Sequence, residues 1–250
     1  GIMRALRTIP VMDDFARDME EAQKDAKTIK MATGWERGAD GKWRYEGEDI
    51  SIKENPKIEW NGYYHLINLE DLVDADELFA AYPKGSFAQV DEKTGEKYGY
   101  VNLSLGGIRV FFDRFNDPSY EESRKNIWLP VYMKSYIGTE KESVLRDVLT
   151  HEIQHAIQDA EDFARGGDVK EIGEDVYNRL QGEVEARNVE SRLGMSAEER
   201  RETLLSETED VAREDQLFIY DAIENANFVQ NNLVYKTHEI QDELLTVTLV

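Results

Sequence analysis

Two histidines one helical turn apart, with a glutamate directly after the first, stand at His151-Glu152-Ile153-Gln154-His155. On a helix, residues i and i+4 share a face, so both imidazoles can bind one metal ion while Glu152 lies to the side. Zinc held by three protein ligands keeps a fourth position for water and draws that water's pKa toward neutrality. Glu152 is then placed as a general base that takes the proton as water attacks a carbonyl and passes it to the leaving amine. The chemistry expected of such a set is zinc-dependent hydrolysis.

The flanking residues set out the helix that must carry the motif. At about 100° per residue, Val144, Leu145, Val148, Leu149, Ile153, Ala156 and Ala160 fill one arc, and Arg146, Asp147, Thr150, Gln154 and Gln158 fill the opposite one. His151 and His155 fall at the edge of the apolar arc, facing a cleft wall rather than bulk water. Thr139-Glu140-Lys141-Glu142 after Gly138 reads as a capping box and Gly166-Gly167 as a stop, which predicts a helix over about 140–165. The bland alternative is a surface helix that carries two histidines and no metal.

A third ligand has to come from elsewhere in the chain. Zincins that take it just after the motif need a glycine three residues beyond the second histidine, and that position is Gln158, so Glu161 and Asp162 point away. A glutamate from a second helix is the remaining common solution. The stretch 175–192 reads as one helix ending at Gly194, with Asn178, Gln181, Glu185, Asn188 and Arg192 on one polar face. Val176, Tyr177, Leu180 and Val184 form one apolar arc, and Gly182, Ala186, Val189 and Leu193 another. Glu183 and Arg187 lie between these arcs, away from the polar face, where an unpaired carboxylate is costly. Glu183 is therefore the expected third ligand and Glu185 a solvated helix charge. A Glu183 to Arg187 salt bridge at i,i+4 would account for the same placement without metal.

Taken together, these residues resemble a family. Leu149-Thr-His-Glu-Ile-Gln-His-Ala-Ile-Gln, Phe163-Ala-Arg-Gly-Gly167 and Gly182-Glu-Val-Glu-Ala-Arg-Asn-Val189 are similar to the zincin metallopeptidase domains of large polyvalent proteins carried by phages and other mobile elements. Further matches are Thr33-Gly-Trp-Glu-Arg-Gly-Ala-Asp-Gly-Lys-Trp-Arg-Tyr45, Leu78-Phe-Ala-Ala-Tyr-Pro83, and Glu207-Thr-Glu-Asp-Val-Ala-Arg213 after Glu199-Arg-Arg201, so the resemblance spans roughly 30–217. It implies a zinc peptidase-like domain with His151 and His155 as ligands, Glu152 as general base, and a glutamate of the Gly-Glu-Val-Glu-Ala-Arg run completing the site. More distant zincins with a Glu-x-x-Ala-Asp or Glu-x-x-Ala-Asn run use its first glutamate, which corresponds to Glu183. The fifth position of the run is Arg187 here rather than an acid or amide, so another group must orient the first histidine.

The chain has 250 residues, 40% of them hydrophobic, enough for a sizeable core, with no Pro/Gly/Ser-rich linker dividing it. One zincin-like domain over 1–250 is expected, with 218–250 as a C-terminal extension. Cysteine is absent, which excludes disulfides and cysteine zinc clusters and suits a reducing compartment. Neither a signal peptide nor a membrane-length apolar run is evident, so a soluble, cytoplasmic chain is expected. Fifty-two acidic residues against thirty basic give a formal charge of -22. Such a surface repels phosphate backbones and argues against nucleic-acid binding.

Residues 13–31, acidic and basic by turns, read as one exposed helix. Trp35 and Trp43 flank a turn at Ala39-Asp40-Gly41 and read as core anchors. A short helix is expected over 71–82, and His65, in a strand-like run, reads as structural. Extended segments follow at 88–91, 97–104 and 108–115, and 126–134 reads as a strand in which Pro130 suggests an edge or bulge. An open edge beside the motif helix is where many zincins lay an extended peptide. Ser196-Ala-Glu-Glu199 is a second capping box. His238 and the tyrosines Tyr132, Tyr136 and Tyr177 are candidate donors to an oxyanion.

The expected architecture is thus α+β and zincin-like. A mainly antiparallel, twisted sheet supports the helix of His151 and His155, and a second helix brings Glu183. The cofactor would be Zn2+ and the substrate a protein or peptide. Two rivals are a binding or regulatory module that keeps the metal without turnover, and a metal-free interaction domain in which Glu183 is salt-bridged.

Overall fold

A computed structural model describes residues 2–4, 10–82, 86–90, 97–102, 105–114, 117–121 and 124–219. His238 and the rest of the extension beyond 219 lie outside the described residues. Strand β1 (Met3–Arg4) precedes helices α1 (Pro10–Glu21) and α2 (Ala26–Thr33), which divide the single helix expected over 13–31. Gln23 between them takes a positive φ of 57°, and the Asp25 side chain caps α2 by accepting from the Thr28 N–H. The break turns α2 inward, burying Ile29, Lys30 and Thr33.

Strands β2 (Trp35–Arg37) and β3 (Trp43–Glu46) form the hairpin expected around Asp40, and β1 pairs with β3 to give an antiparallel sheet of order β1-β3-β2. Trp35 and Trp43 are buried with Ala16 and Ile29 in a small cluster, as core anchors. Next come β4 (Ser51–Ile52), β5 (Glu59–Trp60), β6 (His65–Asn68), α3 (Leu69–Leu72), β7 (Val73–Asp74) and α4 (Asp76–Ala81). The helix expected over 71–82 is interrupted because Val73 leaves it to pair with Ile52.

Strands β8 (Ser86–Val90) and β9 (Lys97–Asn102) make an antiparallel ribbon. Strands β10 (Arg109–Asp113), β11 (Ser119–Glu121) and β12 (Asn126–Pro130) join β5 and β6 in a five-stranded sheet of order β11-β12-β10-β6-β5. Its neighbours are antiparallel except β10 with β12, which are parallel. The architecture is therefore mixed α+β with mainly antiparallel sheets.

One expectation about this sheet is corrected. The segment 126–134 is not an open edge, since β12 is paired on both sides and passes after Pro130 into a 3₁₀ helix over Val131–Tyr136. Proline lacks the N–H that would extend the ladder, so it sits at the strand's end. The edge that packs on the motif helix is β11, whose Tyr120 hydroxyl donates to Asp159 Oδ2 at 3.0 Å.

The helical half comprises α5 (Glu142–Glu161), α6 (Val169–Ile172), α7 (Glu174–Arg179), α8 (Gln181–Ser191) and α9 (Ala197–Glu202). Helix α5 stops earlier than the glycine pair suggested. Asp162 takes a left-handed conformation (φ 56°) and closes the helix on the Gln158 carbonyl, leaving Gly166 and Gly167 in the following loop. Thr139 caps the preceding turn, where its Oγ1 accepts from the Lys141 N–H, rather than α5 itself. The helix expected over 175–192 is two helices, broken at Leu180. There the backbone turns extended and binds the chain around Leu217, Gln181 N–H donating to Leu217 O at 2.8 Å and Leu217 N–H to Arg179 O at 2.8 Å. The capping box of α9 forms at Ser196 and Glu199.

Leu145, Leu149, Ile153, Ala156, Ile157 and Ala160 of α5 share one core with Ile67, Val110, Phe112, Ile127 and Leu129 of the sheet. Much of the two arcs read as polar is buried. On α5 these residues are Thr150, Gln154 and Gln158, and on α8 and its C-cap Gln181, Glu185, Asn188 and Arg192. They meet across the α5–α8 contact and against β1 and β3: Gln154 binds the Met3 backbone at 3.0 and 3.2 Å, and Arg192 grips Glu46 at 2.7 to 3.1 Å. Polar groups can be buried so only when partnered, which is what the docking sheet supplies. Replacing fully buried Arg192 by methionine leaves Glu46 without this partner. Chemical denaturation of Arg192→Met is expected to show a loss of about 3–5 kcal/mol.

Candidate metal centre

His151, His155 and Glu183 are brought together. Each offers one ligand atom, and the three atoms lie within 4.8 Å of one another. His151 Nε2 is 3.5 Å from Glu183 Oε2 and His155 Nε2 is 3.5 Å from Glu183 Oε1. Tetrahedral ligands held about 2.0–2.1 Å from a zinc ion stand roughly 3.4 Å apart, so these separations suit a shared cation.

Local sequence explains the convergence. One turn of α5 places the imidazoles side by side, ring centroids 4.8 Å apart. The break at Leu180 puts Glu183 in the first turn of α8, where free N–H groups favour a carboxylate. Two glycines allow the loop after α5 to reach it. A Cβ on Gly182 would lie 2.1 Å from the Arg165 carbonyl carbon and 2.3 Å from Gly166 N, and a Cβ on Gly166 would lie 2.0 Å from Glu183 Oε1 and 2.7 Å from His155 Cε1. The close approach lets Gly167 N–H donate to Glu183 Oε1 at 3.0 Å.

The outer nitrogens of the imidazoles are held as well. His155 Nδ1 lies 2.8 Å from Gln158 Oε1, an acceptor, which leaves Nε2 free to face Glu183. His151 Nδ1 lies 3.4 Å from Glu190 Oε2. Glu190 thus does the orienting that Arg187 cannot. Sequence reasoning passed over both residues, although Gln158 is three residues from His155 and Glu190 seven from Glu183, spacings that return to the same helix face. Arg187 is occupied elsewhere, on Asp210 at 2.6 and 3.1 Å and on the Asn178 carbonyl at 2.6 Å. Glu185 is no solvated charge: it is 5% exposed and bonded to Arg44, Gln154 and Gln181 at 2.7, 2.8 and 3.2 Å.

Electrostatics mark the cluster as short of positive charge. Burial alone would raise the Glu183 carboxyl, yet the two imidazoles outweigh it and hold it well below the usual carboxylate range. Burial lowers His151, and hydrogen bonding to Glu183 and Glu190 overcomes this and raises it to about 10; burial and Glu183 oppose each other in the same way at His155, with a net rise. Glu183 Oε2 and Glu152 Oε2 are both buried without a normal hydrogen bond. Burial raises Glu152 despite the nearby imidazoles, as suits a group that must accept a proton. Two imidazoles, a buried anion and an orphaned carboxylate oxygen form a donor set that fits zinc, which would displace the protons the imidazoles otherwise hold.

Of the candidate tyrosines, Tyr177 stands beside Glu183 and is held protonated by burial and then by that carboxylate's charge. Tyr132 and Tyr136 lie against each other in the 3₁₀ helix, and Tyr132 is exposed. His65 sits in β6 near Lys134 Nζ and the Trp60 ring, outside the cluster.

Residues 13–54 match the family described as Large polyvalent protein associated domain 23. No curated protein and no solved structure matches the chain. The matched segment runs from α1 through β4, and it supports the tie to large polyvalent proteins without reaching the histidine helix. Among the described residues no helix is long and apolar enough to cross a membrane.

Two outcomes follow for the cluster. Gly166→Ala is expected to weaken zinc binding roughly 10–100-fold by displacing Glu183 and His155, read by competition with a chromophoric chelator. In chelator-treated protein, His151, raised from 6.5 to about 10, contributes stability that is full below pH 6.5 and lost as pH rises through 10. Melting temperatures between pH 6 and 10 are expected to fall less in His151→Gln than in the parent, and parallel curves would contradict this.

Proposed function

We propose that the chain is a zincin-like metallopeptidase in which His151, His155 and Glu183 hold Zn2+ and Glu152 is the general base. The observation that carries this reading is the meeting of the three ligand atoms beside buried Glu152, whose Oε2 has no hydrogen-bond partner. A bound zinc ion would supply Lewis acidity, acidifying water and polarising a carbonyl oxygen.

The chain's own residues account for the rest. Glu152, raised by burial, accepts a proton from the attacking water and delivers it to the departing amine nitrogen. Gln158 and Glu190 keep the imidazoles turned toward Glu183. Tyr177, kept protonated beside Glu183, would donate a hydrogen bond to charge developing on the carbonyl oxygen. The substrate class is a protein or peptide, lying extended against the β11 edge beside α5 and pairing backbone to backbone. The match at 13–54 supports a setting within a large polyvalent protein.

Metal analysis joined to one substitution tests the proposal. Purified parent is expected to carry about one zinc per chain and to cleave an unfolded protein substrate. Glu152→Gln is expected to keep the zinc and lose about 10²–10⁴ in rate. Zinc retained with no cleavage by the parent favours a non-catalytic metal module, and absence of zinc in gently purified parent defeats both readings.

A further inference from the structure

We infer that Arg44, in the segment matching the polyvalent-associated family, is a positioning residue for the metal centre and acts on both of its helices at once. The inference rests on the metal-centre reading above. Arg44 is fully buried in β3, far from the histidines in sequence. Its guanidinium is held by Asp40, Nη2 donating to Oδ2 at 2.9 Å, and it extends two arms.

The first arm runs through side chains. Arg44 Nε donates to Glu185 Oε2 at 2.7 Å, and Glu185 Oε1 accepts from Gln158 Nε2 at 3.3 Å and from Gln154 Nε2 at 2.8 Å. Gln158 also donates to the Gly182 carbonyl at 2.8 Å. With its amide hydrogens engaged on that side, Gln158 presents Oε1 to His155 Nδ1 at 2.8 Å. An amide's oxygen and nitrogen lie on opposite sides of its carbon, so fixing the NH2 group fixes where the oxygen points. The Gly182 carbonyl and Glu185 together therefore decide that Gln158 accepts from His155, and Arg44 holds the buried Glu185 side chain in place for its share of that contact.

The second arm runs through packing. The Arg44 guanidinium carbon lies 3.2 Å from the centroid of the Phe163 ring, which is 1% exposed. Phe163 opens the loop that leads to Gly166, where a Cβ would run into His155, and to Gly167, whose N–H donates to Glu183. One side chain thus braces the imidazole on α5 through Gln158 and the carboxylate on α8 through the loop. The 13–54 segment on this account is part of the support of the metal centre rather than a separate appended module.

The test reads zinc affinity, by chelator competition, beside folding of the chelator-treated protein, by circular dichroism and melting. Gln158→Leu, which keeps the bulk and removes the acceptor, is expected to fold and to bind zinc about 10–100-fold more weakly. Arg44→Met/Glu185→Met removes the charged pair together and is expected to weaken zinc binding to a similar degree. Combining all three is expected to lose less than the product of the separate losses, because they cut the same path. Should the double variant fail to fold, Arg44→Lys, which keeps the charge but not the fork, takes its place with the same expectation. Folded variants that bind zinc as tightly as a zinc-binding parent overturn the inference and leave the metal centre standing. A parent that binds no zinc overturns the metal-centre reading and this inference with it.

Discussion

A carboxylate that is 2% exposed must be matched by positive charge, and at Glu183 two imidazoles meet that demand. The rest of the helical half follows from this constraint. Both histidines have to lie on one face of one helix, which α5 provides. Glu183 has to enter at the start of a second helix, so the chain breaks at Leu180 and is held there by Leu217. The loop between the helices has to approach closely enough to donate a backbone N–H, and side chains at 166 and 182 would prevent it. The raised imidazoles and the depressed carboxyl record one imbalance: three acidic groups, Glu152, Glu183 and Glu190, crowd two imidazoles, and protons on those rings or a divalent cation between them relieve it.

Around this cluster the protein uses buried polar contacts where a hydrophobic core would be simpler. Arg44, Glu185, Arg192, the glutamines of α5 and the buried side chain of Glu46 form an interior of charges and amides between the small sheet and the two helices. Such an interior adds little net stability compared with apolar packing, since desolvation offsets most of the attraction. Its directionality is what packing cannot supply: leucines in these places would tolerate a shifted helix, whereas a forked guanidinium on a carboxylate permits one arrangement. A set of ligands for one metal ion would need that accuracy, because a displacement of an ångström would lose a shared cation. The apolar core lies on the other side of α5, against the five-stranded sheet, and bears most of the stability.

Much of the site was legible before any fold was known. The i,i+4 histidines specify their own proximity, because helix geometry is local. Glu183 was separable from Glu185 because it falls between two apolar arcs. The tryptophans, the hairpin around Asp40 and the Ser196 capping box were legible for the same reason, each being decided within a few residues. The misreadings share a cause in turn. Gln154, Gln158, Glu185 and Arg192 look solvated in a helical projection, since polarity signals water unless a partner is known. Gln154, Glu185 and Arg192 find partners up to about 150 positions away, on β1 and β3, and Gln158 finds its own on α8.

Sequence alone determined which residues could bind a metal and which helices carry them, because side-chain chemistry and helical period are properties of short stretches. Tertiary structure alone decided where those helices stop, which strand forms the edge, that Glu190 and Gln158 lie against the imidazoles, and that Arg44 of the 13–54 segment reaches Glu185 and Phe163. Helix ends and polar faces are settled by whatever docks on them: a paired backbone at Leu180, a left-handed turn at Asp162, a buried arginine opposite Glu185. Contacts between residues distant in the chain leave no period in the sequence, so they could be read only from the fold.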